Sequence, residues 1–106
     1  MDIHKIGNNL DFLLWRQGSG KTVEIFDIQV GSIRRQGIGK TMVFDLLLHA
    51  PVDTTLVWAI TRSTNLIAQE FYEALGFRVV GILRDFYQDQ GFQCCTVDAI
   101  MYGRKP

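Results

Sequence analysis

Arg34-Arg35-Gln36-Gly37-Ile38-Gly39-Lys40-Thr41 combines the residue types that hold a phosphate. The apolar run Val23 to Val30 precedes it and reads as a strand, and an apolar-periodic helix begins at about Gly37. Strand, glycine turn and helix in that order build an anion cradle. The first turn of a helix leaves backbone N–H groups without intrahelical partners, the dipole favours negative charge there, and missing side chains let an anion approach. Arg34, Arg35 and Lys40 add formal positive charge around those amides. The chemistry implied is capture of a ligand that carries a pyrophosphate.

Two other phosphate loops fail on spacing. Gly39-Lys40-Thr41 and Gly20-Lys21-Thr22 both end like a Walker A loop, G-x-x-x-x-G-K-[ST], but its first glycine would have to stand at Arg34 or Trp15. A dinucleotide fingerprint, G-x-G-x-x-G or its alanine-ended variant, would need a small residue at Met42.

Around this stretch the chain is of ordinary globular make-up. Its 106 residues suffice for one modest core, so a single domain over 1–106 is expected. Eleven basic residues balance eleven acidic ones, which gives no bulk pull towards nucleic acid or an anionic membrane and makes the local basic cluster a site. No apolar run is long enough to span a membrane, and Met1-Asp2-Ile3-His4-Lys5 does not open a signal peptide, so a cytoplasmic protein is expected. The cysteines are neighbours, Cys94-Cys95, and would point to opposite faces of a strand. With no His/Cys spacing of a metal site nearby, two reduced thiols and no metal are expected.

The positioning elements follow from periodicity. Ile3 to Ile6, Leu10 to Trp15 and Val23 to Val30 read as an antiparallel meander, separated by Gly7-Asn8-Asn9 and Gln17-Gly18-Ser19-Gly20. Strict alternation in the third run puts Glu24, Phe26, Ile28 and Val30 on one face, with Glu24 an acid at its head. Ile38, Met42, Leu46 and Ala50, with Val43 and Leu47, mark the buried stripe of a helix that Pro51 stops. Thr55 to Ile60 reads as a strand buried on both faces. The second helix has Ser63 or Thr64 as candidate N-cap, a stripe of Ile67 or Ala68, Phe71, Tyr72 and Leu75, and Gly76 as its terminal glycine. Phe77 to Tyr87 and Phe92 to Tyr102 close the chain as a hairpin around Gln88-Asp89-Gln90-Gly91. The order βββ-α-β-α-ββ implies an α+β, mixed α/β fold: one mostly antiparallel mixed sheet flanked by helices, with a parallel crossover between its third and fourth strands. Trp15, Trp58, Phe26 and Phe44 are expected in the core, His4 and His49 as structural or solvated, and Asp27 and Asp45 in solvent or paired with basic side chains.

R-x-x-G-x-G, as Arg34-Arg35-Gln36-Gly37-Ile38-Gly39 after an apolar strand, resembles the acetyl-CoA loop of the GNAT acetyltransferase superfamily. Asn65-x-x-Ala68-x-x-Phe71-Tyr72-Glu73-x-x-Gly76-Phe77 is similar to the family's second signature. Val80-Gly81-x-x-Arg84-Asp85-x-Tyr87 and Asp98-x-x-Met101 look like the C-terminal hairpin of members that acetylate protein N-termini or polyamines. The resemblance runs from about Val23 to Tyr102.

It implies the family's acyl-CoA N-acyltransferase fold, acetyl-CoA as co-substrate and a primary amine as acceptor. The amides and side chains of Arg34, Arg35, Gln36, Gly37, Ile38, Gly39, Lys40 and Thr41 would hold the pyrophosphate. Ile28 and Val30 would offer a strand edge to the pantetheine arm, and Asn65 a side-chain contact. Such contacts contribute to rate by positioning the thioester. Tyr72 is implied as the acid that protonates the departing thiolate and as a residue at the cofactor, since a phenol titrating near ~10 keeps its proton at neutral pH. Glu24 is the candidate base, with an oriented water as the alternative.

The family normally begins with a strand and one or two helices that wall the acceptor side, whereas only short strands precede the central strand here. An open acceptor side suits a large amine such as a protein N-terminus or a lysine, as well as a polyamine or other small amine, or else it is closed by a second copy in a homodimer. The acceptor's identity would be written in the N-terminal strands and the Tyr87 to Phe92 turn. Two functions of different class are therefore expected to compete: an acetyl-CoA-dependent N-acetyltransferase, and a catalytically weak acyl-CoA-binding or interaction module on the same fold.

Overall fold

The computed structural model of the protein describes residues 2–31, 37–88 and 96–106. The elements are β1 (Ile3–Gly7), β2 (Asp11–Gln17), β3 (Thr22–Val30), α1 (Ile38–His49), β4 (Leu56–Arg62), α2 (Leu66–Ala74), β5 (Arg78–Gln88) and β6 (Thr96–Arg104), the expected order. Their strands run β1-β2-β3-β4-β6-β5 in a six-stranded mixed sheet. The chain divides into two compact units, Met1–Trp58 with Lys105–Pro106 and Ala59–Arg104.

In the first unit, Asn8 builds the turn between β1 and β2 by accepting through Oδ1 from the backbone N–H of Leu10 and of Asp11. Gly7 takes φ 101°, and a side chain there would collide with the Asp11 carbonyl. β2 and β3 pair antiparallel, but the register slips: Leu14 lies opposite Asp27 and Trp15 opposite Ile25, so Phe26 is an extra residue in β3. This bulge corrects the expected face assignment. Val23, Ile25, Ile28 and Val30 oppose Gln17, Trp15, Leu13 and Asp11, alternate residues of one strand, and so share one face. Glu24 opposes Arg16 and shares the other face with Asp27 and Gln29, opposite Leu14 and Phe12. Val23, Ile25 and Leu13 are buried, as are Met42, Val43 and Leu46 of α1, which packs on β2 and β3. Two aromatics expected in this core lie outside it. Phe26, the bulge residue, is 47% exposed, and Phe44, off the buried helix stripe, is 37% exposed. Trp15 and Trp58 are half-buried. His4 stacks on Trp15 with ring centroids 4.3 Å apart, and the exposed His49 places Nδ1 2.9 Å from Asp45 Oδ1, one helical turn back. The crossover is parallel as expected: Thr22, Val23 and Glu24 oppose Leu56, Val57 and Trp58.

β4 runs through both units. Val57, Ala59 and Thr61 are buried while the residues between them are half-buried, so one face is enclosed and the other only partly, not both as expected. In the second unit the N-cap of α2 is Asn65, whose Oδ1 accepts from the Ala68 N–H at 3.1 Å, in place of Ser63 or Thr64. The Ser63 N–H is already bonded to the Asp98 carbonyl, which carries strand pairing past Arg62 and delays the helix. Ile67 is exposed, and Ala68, not Ile67, falls on the inward side. At the other end Gly76, at φ 86°, donates to the Glu73 carbonyl, and Phe77 donates to the Tyr72 carbonyl at 3.0 Å. That pair of bonds is a Schellman cap, and the Tyr72 and Phe77 rings, 5.3 Å apart, are its hydrophobic contact. β5 and β6 form the closing hairpin. Asp89 to Gly91 of its turn, and Cys94-Cys95, lie outside the described residues.

Tyr102 lies in the core of this unit and donates its hydroxyl to Glu73 Oε1 at 3.3 Å. Burial, then the Glu73 charge and that hydrogen bond, raise its pKa above the ordinary 10.0. The folded state therefore keeps a proton that the unfolded chain loses first. The stabilisation is complete below about pH 10 and disappears as pH rises through the raised value. Melting curves in mildly alkaline buffer and above about pH 11 are expected to show a steeper loss for the wild type than for Tyr102→Phe. Parallel curves would exclude Tyr102 as the group responsible.

Candidate active site

Of the expected ligand-binding residues of the first unit, Ile28 and Val30 lie towards the end of β3 and Gly37 to Thr41 at the start of α1. Gly37 is the N-cap of α1 in the left-handed region, φ 71°, with open space where a side chain would go, so glycine is needed there for its backbone and not for room. Among the described residues no side chain caps this end, and no acidic residue occupies its first turn. The opening amides thus keep the anion-accepting character expected of them. Gly39 is buried and Lys40 exposed, with Nζ 5.8 Å from the Phe44 ring centroid. Ile38 is half-buried. The Thr41 hydroxyl returns to the Gly37 carbonyl at 3.0 Å, which assigns it to the helix start. Arg34, Arg35 and Gln36 lie outside the described residues. Just before them the Gly31 N–H is held by the Leu10 carbonyl and by Asp11 Oδ1, both at 2.9 Å, which fixes where the chain leaves β3.

Ile28 and Val30 are half-buried on the α1 side of β3. Among the described residues the parallel ladder with β4 ends at Glu24, while β3 continues to Val30. The backbone edge from Ile25 to Val30 on that side therefore has no strand ladder. An extended ligand rich in amides could pair there.

Glu24 does not stand alone. Arg16, directly opposite on β2, donates Nε–H to Glu24 Oε1 at 2.7 Å, and the Arg16 guanidinium lies 4.7 Å from the Phe26 ring centroid. Sequence reading did not single out Arg16. The signal was present in the Gln17-to-Gly20 turn, because closing it with the Gly18 N–H on the Thr22 carbonyl sets Arg16 against Glu24.

In the second unit α2 carries Asn65 and Tyr72. Asn65 is exposed and spends its Oδ1 on the helix cap. Tyr72 is 5% exposed, and its ring is edge-on to Phe71 and Phe77, at 5.3 Å each, and stacked on Tyr102 at 5.8 Å. Among the described residues no cluster of His, Cys, Asp and Glu could hold a metal, and no helix is long and apolar enough to cross a membrane.

The family model of the acetyltransferase (GNAT) family matches residues 7–77, and the chain belongs to that family. Solved structures repeat the fold. An acetyltransferase from Bacillus subtilis in complex with CoA superposes with a TM-score of 0.77 at 22% identity, over 92% of this chain and 69% of its own. The ribosomal-protein-S18-alanine N-acetyltransferase of Escherichia coli gives 0.77 at 23%, over 97% and 68%. A GNAT family acetyltransferase from Elizabethkingia anophelis with acetyl-CoA bound gives 0.76 at 20%, over 92% and 69%. No curated protein sequence matches the chain.

Proposed function

We propose that the chain, acting as one domain over 1–106, is an acetyl-CoA-dependent N-acetyltransferase for a primary amine. The observation that carries this is the unladdered edge of β3 from Ile25 to Val30, which leads towards a helix start without a side-chain cap. Family membership and the CoA-bound neighbours support it. In this reading the Ile28 and Val30 backbone pairs with the amides of the pantetheine arm, joined by the Asn65 side chain. The amides of Gly37, Ile38, Gly39, Lys40 and Thr41, with Arg34, Arg35 and Gln36, hold the pyrophosphate. Glu24 takes a proton from the attacking amine as the new C–N bond forms. Tyr72 gives its phenolic proton to the sulfur as the C–S bond breaks. No step calls for a metal.

The acceptor is an amine on a protein, peptide or small molecule, and the setting is the cytoplasm. A second copy is the further partner. β5, the last strand of the sheet, leaves a backbone edge that pairing with a second copy would cover, and its Val79, Val80, Ile82 and Phe86 are exposed.

One observation favours the other reading, an acyl-CoA-binding module with little turnover: the Tyr72 ring is as deeply packed as a core residue. Both readings expect CoA to raise the Tm. They separate on thiol release from acetyl-CoA with a panel of N-terminal alanine peptides, lysine peptides, polyamines and aminoglycosides, run on material whose mass is measured by light scattering against the 12.1 kDa chain. Acceptor-dependent release is the expected result. CoA binding with no release across the panel would give the site to the binding module.

A further inference from the structure

We propose that Arg16 is a positioning residue, which fixes the Glu24 carboxylate so that one of its oxygens alone faces the reacting amine. This rests on Glu24 acting as the base, as read above. The pair is built into the hairpin: Arg16 and Glu24 occupy directly opposed positions of β2 and β3. Arg16 Nε–H binds Oε1 at 2.7 Å, while Oε2 has no protein partner among the described residues.

A carboxylate held at one oxygen cannot spin about its Cγ–Cδ bond, so its second oxygen points in a fixed direction. Arg16 is held in turn. The bulge makes Phe26 the extra residue of β3, and the ring lies 4.7 Å from the guanidinium. Trp58 flanks Glu24 from β4, and Asp27 is the other carboxylate on that face of β3. Of the charged groups there, Arg16 is the one bonded to Glu24.

The Glu24 side chain is 14% exposed and that of Arg16 35%, so the pair is largely shielded, and the cost of desolvating two charges offsets much of what their attraction adds to stability. Fixing an orientation therefore accounts better for the arrangement than holding the sheet together does. The consequence is kinetic, since a misdirected base loses rate without losing cofactor binding.

The test is a double-mutant cycle with Arg16→Met, Glu24→Gln and the two combined, using acetyl-CoA and the best acceptor among an N-terminal alanine hexapeptide, a lysine peptide and spermidine. Arg16→Met, assayed well below its Tm, is expected to lower kcat roughly ten-fold while KM for acetyl-CoA stays nearly constant. Arg16→Lys should recover part of the loss, and in the Glu24→Gln background Arg16→Met should add nothing. An equal loss in both backgrounds overturns the proposal and leaves Glu24 as base. Wild-type turnover by Glu24→Gln overturns the base reading and this proposal together, as does the absence of turnover with every acceptor.

Discussion

Tyr72→Phe is expected to lower kcat by roughly 10²- to 10³-fold, with CoA affinity and Tm close to wild type. The substitution keeps the ring, and with it the packing against Phe71, Phe77 and Tyr102. What it removes is one hydroxyl. A departing thiolate must acquire a proton or be stabilised as an anion. A phenol can donate because it still carries its proton at neutral pH; as a weaker acid than a thiol of reference pKa about 8.5, it serves by hydrogen-bonding to the sulfur as negative charge develops there and by passing the proton as the C–S bond breaks. The deep burial of the ring makes the experiment decisive. Packing alone predicts that phenylalanine, of nearly the same shape, preserves every property of the protein. Full activity in Tyr72→Phe would therefore return Tyr72 to the core and give the sulfur's proton to another donor. A loss confined to kcat assigns the proton to Tyr72.

The order of elements and the crossover were legible in the sequence because each rests on a long period bounded by turn residues. Gly37 was legible for the same reason: a glycine between a strand and an amphipathic helix, followed by Gly39 and Lys40, has few other uses. What eluded the sequence is register. A bulge carries no local composition, since Phe26 is as good a strand residue as its neighbours, yet one extra residue moves Ile28 and Val30 to the face opposite Glu24. The alternation argument tied the candidate base to the pantetheine edge by a shared face. The structure keeps both features on β3 and separates their faces.

The α2 N-cap was missed for a related reason. Ser63, Thr64 and Asn65 are all good caps, and local preference cannot choose among them. The choice is made by β6, because the Ser63 N–H bond to the Asp98 carbonyl is a tertiary contact. Cap choice also bears on function. Asn65 is the residue expected to touch the pantetheine arm, and its Oδ1 is bonded to Ala68, so the amide nitrogen Nδ2 is the part of the side chain left to offer a ligand. The phenylalanines failed differently: Phe26 and Phe44 are apolar by type, but their exposure follows from a bulge and a helix phase that composition does not encode.

Phe77→Ala is expected to cost about 3–5 kcal/mol of folding free energy, the largest stability effect of any substitution considered. Phe77 is 2% exposed, closes the α2 cap through its N–H on the Tyr72 carbonyl, and packs its ring on that of Tyr72. Alanine keeps the N–H and empties the ring's volume, so the loss is cavity and contact, not backbone. For a domain of this size each kcal/mol moves Tm by about 4–8 °C, so thermal melting should place the variant at least ~12 °C below wild type. Leucine at the same position refills part of that volume, keeps the cap, and should recover part of the stability. The two variants also separate the fold from the chemistry. If Tyr72 acts through a hydroxyl that its ring contacts hold in place, Phe77→Leu should lose activity beyond what its Tm explains, measured well below that Tm. If the Tyr72 ring were held by Phe71 and Tyr102 alone, Phe77→Leu would melt lower and turn over at the wild-type rate. A stability loss under about 1 kcal/mol in Phe77→Ala would refute the Phe77 ring as the anchor of this unit's core.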